Sequence, residues 1–251
     1  MATFQHLAGS VLSTLWRIGA PHLQSRSQIL MYHSIGGVAD NDTKGLYSVS
    51  KENFYRQMEH LKKLQESRLL LVVPFGSERP GTISITFDDG YTDNFEIAAP
   101  ILRQFGFPFH IFINPQLVTS RQGGFLTHQQ ISELATSQNV TLGIHGYSHL
   151  PLTDFSNERL LSELMLAIDW IRDFNTEAPI TMSYPHGAVD SRIVDAIRSL
   201  GITRAACSKF SPLSTNSDPL LLPRIDIWST DTLSVFDSKI RGYWDWMRWR
   251  T

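Results

Sequence analysis

The sequence predicts an α/β fold: a (β/α) barrel with extra helices at its N- and C-terminal ends. Three observations carry that expectation. Apolar, β-branched-rich runs alternate with helical patterns from residue 28 to the C-terminus. Strand, helix, strand in repetition implies right-handed crossovers and a mainly parallel sheet. Several runs are apolar at nearly every position, as strands buried on both faces are, and seven or eight such runs favour closure into a barrel over an open sheet.

In chain order, residues 1–26 read as an N-terminal amphipathic helix or arm. Phe4, Leu7, Val11, Leu12, Leu15, Trp16 and Ile18 recur mostly at three- and four-residue steps. Residues 27–251 are assigned to the barrel domain. Its first strand is Gln28–His33. Ser50 is an N-cap candidate for a helix over Glu52–Gln65. Strands follow at Leu69–Val73 and Thr82–Phe87. A helix over Asp93–Phe105 carries Pro100 inside it and stops at Gly106. After the strand Phe109–Ile113, Thr127 and Gln130 have capping-box spacing for a helix over His128–Thr136. The strand Thr141–Ile144, the helix Asn157–Phe174 and the strand Ile180–Tyr184 come next. Asp190 caps a helix over Ser191–Leu200, which Gly201 ends. Strands Thr203–Cys207 and Leu220–Ile227 precede a last helix from about Thr232 to Trp249.

Composition narrows the function. Of 251 residues, 22 are Lys or Arg and 24 are Asp or Glu, a net charge of −2. That balance argues against a partner held by phosphate neutralisation, so no nucleic acid is expected. A single cysteine, Cys207, excludes an intramolecular disulfide and a Cys-rich zinc site. The longest apolar run, Leu69 to Phe75, is too short to span a bilayer. The first basic residue is Arg17, and Ser10, Ser13 and Thr14 interrupt the early apolar run, unlike a secretory signal. The sequence thus points to a cytoplasmic or membrane-peripheral chain. Peripheral membrane or protein contact through the terminal helices remains open, given the aromatics of Tyr243, Trp244, Trp246 and Trp249.

Four segments at the ends of expected strands can do chemistry. Thr86-Phe87-Asp88-Asp89-Gly90-Tyr91 places two carboxylates on opposite sides of an extended chain. One can bind a cation while the other faces a water; a plain turn with solvated acids is the alternative. His145 and His149 are four apart, which suits two imidazoles on one metal if the segment makes a helical turn. Two His and one Asp make a three-ligand site with open positions, as hydrolytic zinc centres have. Ser183-Tyr184-Pro185-His186-Gly187 forms a sharp turn that can aim a backbone N–H at an oxyanion. His33, in Met31-Tyr32-His33-Ser34, is a general-acid candidate or else a packing histidine.

Taken in order, these segments resemble the polysaccharide deacetylase family (carbohydrate esterase family 4, the NodB-homology domain). Thr86–Tyr91 matches its first motif, Thr-Phe-Asp-Asp-Gly. His145…His149 is similar to the second, with Gly146 where the family usually has Ser or Thr. Ser183–Gly187 is similar to the third, with Ser183 and His186 in place of Arg and Tyr. The resemblance implies a distorted barrel, commonly of seven strands, and a divalent metal, usually zinc. It makes Asp89, His145 and His149 the metal ligands and Asp88 the general base. The backbone N–H of His186 would hold the oxyanion, and Tyr91 and Tyr184 would contact substrate. No His follows His186, so the family's usual C-terminal Leu-x-His acid is missing. The opening Tyr32-His33 resembles instead the exopolysaccharide poly-N-acetylglucosamine deacetylase branch, which makes His33 the general acid. Arg224, on the last expected strand, is a candidate for the missing arginine, pairing with Asp88 or alternatively with Asp226. The implied reaction removes N-acetyl groups from the sugars of an N-acetylated glycan substrate and releases acetate. A carbohydrate O-acetyl esterase and a non-catalytic glycan-binding barrel are the competing readings.

Overall fold

Seven parallel strands close into a ring among the described residues, which are 22–39, 42–120, 124–174 and 178–249 of a computed structural model. The expected N-terminal helix lies outside them, apart from a single 3-10 turn at Leu23–Ser25.

The chain enters on β1 (Ser27–Tyr32), then makes two short strands, β2 (Ser34–Ile35) and β3 (Ser48–Val49), which pair with each other. Helix α1 (Lys51–Glu66) starts where the Ser50 side chain accepts the Asn53 N–H. It leads to β4 (Leu71–Val72) and β5 (Thr82–Phe87). A π-helical turn over Asn94–Ala98 runs into α2 (Ala99–Phe105), which Gly106 ends at φ 69. The helix expected over Asp93–Phe105 is thus present, with a π-helical turn inside it. Pro100, with no N–H to give, sits directly after that wider turn.

Strand β6 (Phe109–Ile113) is followed by α3 (Pro115–Thr119) and by α4 (His128–Ala135), whose Thr127/Gln130 capping box is complete. Then come β7 (Val140–Ile144), α5 (Asn157–Arg172), β8 (Thr181–Ser183), α6 (Ser191–Ser199), β9 (Arg204–Phe210) and β10 (Leu222–Asp226). The last helix, α7 (Leu233–Ile240), is shorter than expected: Gly242 at φ 85 breaks it, and Asp245–Trp249 resumes as a 3-10 segment. That segment is pinned to the barrel. Arg26 donates two hydrogen bonds of 2.8 Å to the Asp245 carboxylate, both side chains buried.

The ring runs β1–β5–β6–β7–β8–β9–β10 and returns to β1. All six residues of β1 pair in register with β5, from Ser27 opposite Thr82 to Tyr32 opposite Phe87. On its other side β5 is shared. Short β4 covers Thr82 and Ile83, and β6 joins only at Thr86 and Phe87. The barrel is distorted at this seam. A second irregularity lies between β9 and β10, where the register shifts between Leu222 and Arg224. Pro223, with no N–H to give a ladder, sits at that shift.

Two apolar layers result. The larger lies between strands and helices. The smaller fills the barrel with Ile29, Phe75, Phe112, Ala206 and Leu222. Because side chains alternate along a strand, each inward column ends at the carboxyl mouth of the barrel: Ile29–Met31–His33, Ser84–Thr86–Asp88, Thr141–Gly143–His145 and Leu222–Arg224–Asp226. In barrels of this kind that mouth is where chemistry sits. None of the described helices is long and apolar enough to cross a membrane.

Candidate active site

The mouth opens into a cavity of about 490 Å³ lined by His33, Asp88, Asp89, His145, His149, His186 and Asp226, with Tyr47, Tyr91 and Phe125 among its aromatic walls. Asp89, His145 and His149 each turn one ligand atom inward, and those atoms lie within 4.8 Å of one another. Asp89 Oδ1 is 3.0 Å from His149 Nε2 and 3.4 Å from His145 Nε2. Asp89 reaches this position by leaving the strand at φ 74, and His149 stands at φ 60. Such backbone costs free energy for a non-glycine residue and is concentrated at functional sites. The two histidines do not converge on a helical turn. They are brought together by a bend at Gly146, φ 65, where a Cβ would meet Pro185 Cγ at 2.9 Å.

The donor set fits a cation. His145 Nδ1 lies 2.9 Å from the Ser183 carbonyl, a group that can only accept, so Nδ1 carries the hydrogen. Burial lowers the imidazole to a pKa of about 4, against the raising charges of Asp88 and Asp89. At neutral pH Nε2 is therefore a bare lone pair, and it faces the Asp89 carboxylate. Burial would raise Asp89, but the hydrogen bond to His149 and the charges of His33, His145 and His149 hold it well below the usual carboxylate range. Two acceptors this close repel unless a positive ion lies between them. One carboxylate and two imidazoles, with the second His145 nitrogen tied to a carbonyl, is the ligand chemistry of a zinc-type site.

Asp88 is next in the chain but faces the barrel interior. Arg224 grips it with two hydrogen bonds, Nη1 to Oδ1 at 2.7 Å and Nη2 to Oδ2 at 2.6 Å. Neither side chain has appreciable exposure. Arg224 is itself held by the Cys207 carbonyl, the Thr86 hydroxyl and the Ser183 hydroxyl, and Ser183 donates to Asp88 at 3.1 Å. Burial would raise Asp88. The charge and hydrogen bonds of Arg224, with help from His145 and His33, overcome it and hold the carboxyl at about 2. Arg224 thus pairs with Asp88 and not with Asp226, the other partner considered above.

His33 stands across the mouth, its ring 4.5 Å from that of Tyr47. Its Nδ1 is buried with no hydrogen-bond partner among the described residues, as is Asp226 Oδ1. Burial raises the pKa of Asp226, and the His33 charge is the largest influence pulling it back. Tyr47 is pushed up to about 12, first by the charge of Asp226 and then by burial. The His186 backbone is at φ 57 in the turn after β8, and its ring nitrogen Nε2 lies 3.0 Å from the His149 carbonyl.

Tyr91 lines the cavity with its ring stacked on Phe125 at 5.0 Å. Tyr184 also lines the cavity, with its side chain tied into the core. It is fully buried, and its hydroxyl donates to the Leu220 carbonyl at 2.7 Å. Two contributors were not singled out from sequence. Asp226 carried a signal, since it lies two residues beyond Arg224 on an inward column. Glu163 carried a subtler one, a carboxylate among the buried positions Leu160, Leu164, Ala167 and Ile171 of α5.

Comparison with known proteins agrees with this geometry. The family model described as "Polysaccharide deacetylase" matches residues 76–205, just over half of the chain. YxkH of Bacillus subtilis (strain 168), whose name places it among polysaccharide deacetylases, is 25% identical over 223 residues, which is 85% of this chain and 76% of YxkH. Among solved structures, the Streptococcus pyogenes deacetylase PplD in complex with acetate superposes with a TM-score of 0.72 at 19% identity, covering 86% of this chain and 98% of PplD. IcaB from Ammonifex degensii superposes with a TM-score of 0.73 at 18% identity, covering 88% of this chain and all (100%) of IcaB. At these identities the structural likenesses establish the fold.

Proposed function

Because the chain belongs to the polysaccharide deacetylase family, we propose that it is a divalent-metal-dependent hydrolase that removes N-acetyl groups from the sugars of a glycan, releasing acetate and leaving a free amine. One observation carries the reading: Asp89, His145 and His149 converge on a common point, beside a second carboxylate, Asp88, locked in its ionised form by Arg224.

Asp89, His145 and His149 would hold the ion, which when bound supplies Lewis acidity, polarising the acetyl carbonyl and acidifying a water. Asp88 takes the proton of the attacking water on its carboxylate. Held at about 2, it is a weak base, and it suits only a water that is already acidic. Arg224 and Ser183 keep both of its oxygens oriented. The N–H of His186 supports the negative oxygen of the tetrahedral species. His33 delivers a proton to the departing nitrogen, with Asp226 as its anionic neighbour. An amide needs that proton because an amine anion is a poor leaving group, and a positioned acid contributes about 10²–10⁴ in rate. Tyr91 and Phe125 offer apolar faces to a sugar ring.

The deciding assay measures acetate and free amine together, on N-acetylglucosamine oligomers and on an O-acetylated sugar. Equal acetate and amine from the first substrate supports N-deacetylation. Acetate from the second alone makes the chain an O-acetyl esterase, and acetate from neither leaves a glycan-binding barrel.

A further inference from the structure

We propose that Glu163 is a positioning residue for the bend between the two histidines, holding His149 where it can share an ion with Asp89 and His145; this rests on the reading of that trio as a metal centre. Glu163 lies on the buried face of α5, beside Leu160 and Leu164. Carboxylates are rarely placed so unless paired. Among the described residues it forms no salt bridge. Instead its Oε1 accepts three hydrogen bonds from one bend: the Tyr147 N–H at 2.8 Å, the Ser148 N–H at 2.6 Å and the Ser148 hydroxyl at 2.8 Å.

The bend needs an outside tie. Gly146 has no side chain to fold back on it, and a Cβ there would press on Pro185, whose Cγ stands 2.9 Å away. The front of the bend is fixed from α3 and the residue before it. The Asn114 side chain donates to the His145 carbonyl at 3.1 Å, and the Gln116 N–H donates to the Tyr147 carbonyl at 3.0 Å. His145 has its own restraint through Ser183. Ser148, the residue immediately before His149, is held through Glu163. Removing the carboxylate leaves two backbone donors in a half-buried turn without their acceptor. The strain is relieved most directly by moving Ser148, and His149 moves with it. The loss falls on one ligand and spares the other.

The test measures zinc affinity of the full chain by competition with a chromophoric chelator, and the visible absorption of bound Co²⁺. Glu163→Leu is expected to weaken zinc binding about 10–100-fold, the usual range for a residue that orients a ligand, and to alter the cobalt spectrum. Glu163→Gln keeps an acceptor oxygen and is expected to stay within about threefold of the parent with an unchanged spectrum. Glu163→Asp, one methylene too short, should lose about tenfold. In a His149→Ala background Glu163→Leu should cause no further loss, because the ligand it positions is gone. Equal loss with and without His149, no loss in Glu163→Leu, or equal damage from Gln and Leu would each overturn the proposal. Should Glu163→Leu not fold, parent-like affinity of Glu163→Asp overturns it. A parent protein that binds no zinc, or binds it as well without His149, defeats the metal reading itself.

Discussion

Replacing Arg224 by methionine should do more than lower stability; it should reverse the pH dependence at one buried carboxylate. Asp88 has a folded pKa of about 2 against an ordinary 3.8. At 1.36 kcal/mol per unit this is worth about 2–3 kcal/mol, present above pH ~4 and lost as pH falls towards 2. The largest single influence on Asp88 is burial, which acts upward. Without the guanidinium, burial governs, and the folded pKa moves above the unfolded one. Folding then takes up a proton, and stability falls as pH rises past ~4. Removing one partner of a buried pair costs about 3–5 kcal/mol, a large part of the roughly 5–15 kcal/mol of a typical domain. Urea unfolding with chelator present, at pH 4 and pH 7, measures both quantities. The deficit of Arg224→Met should be larger at pH 7 than at pH 4 by about 2 kcal/mol or more. Adding Asp88→Asn should recover part of it and remove its pH dependence. A deficit that is flat with pH, or a double variant whose loss is the sum of the single losses, would refute the reasoning.

Three more outcomes are expected. His33→Ala should depress turnover on an N-acetyl sugar about 10²–10⁴-fold, with a much smaller effect on an activated acetate ester; equal losses would make His33 structural. His110 is fully enclosed, its ring nitrogens 2.7 Å from the Thr141 hydroxyl and 3.0 Å from that of Thr181. Burial lowers it from 6.5 to about 3, so the unfolded chain binds its proton first and stability falls as pH drops from ~6.5 towards 3, at up to about 1.4 kcal/mol per unit. His110→Gln should flatten that slope in urea titrations. Gly146→Ala forces a Cβ to 2.9 Å from Pro185 at φ 65, and should cost about 1–3 kcal/mol in thermal unfolding.

The fold was legible where periodicity and caps agree. Ser50, Thr127 and Asp190 cap their helices as read, and the fully buried β1 and β5 were, apart from Gln28, continuous apolar or small-residue runs. Errors came where backbone geometry overrode pattern. The stretch after Asp93 is helical as expected, with a wider turn that the pattern does not show, whereas the C-terminal aromatics continue a helical rhythm across Gly242 that the chain does not follow. At the site, adjacency in sequence identified Asp88 and Asp89, and the spacing of His145 and His149 identified a pair. The means of convergence was hidden, because a bend at positive φ leaves no periodic trace. Within the third motif, Tyr184 sends its hydroxyl into the core to the Leu220 carbonyl, and the sharp turn at Pro185 starts after it. Glu163 belongs to the site through contacts fifteen and sixteen residues away, a relation that only packing reveals.

The most direct test titrates zinc into the parent, Asp88→Asn and Asp89→Ala proteins and follows acetate release from an N-acetylglucosamine oligomer in the same samples. The parent and Asp88→Asn should bind the ion with similar affinity, Asp89→Ala should bind it far more weakly, and only the parent should release acetate at a substantial rate. Parent-like zinc binding by Asp89→Ala, or parent-like turnover by Asp88→Asn, would contradict the division of labour between the two neighbouring carboxylates.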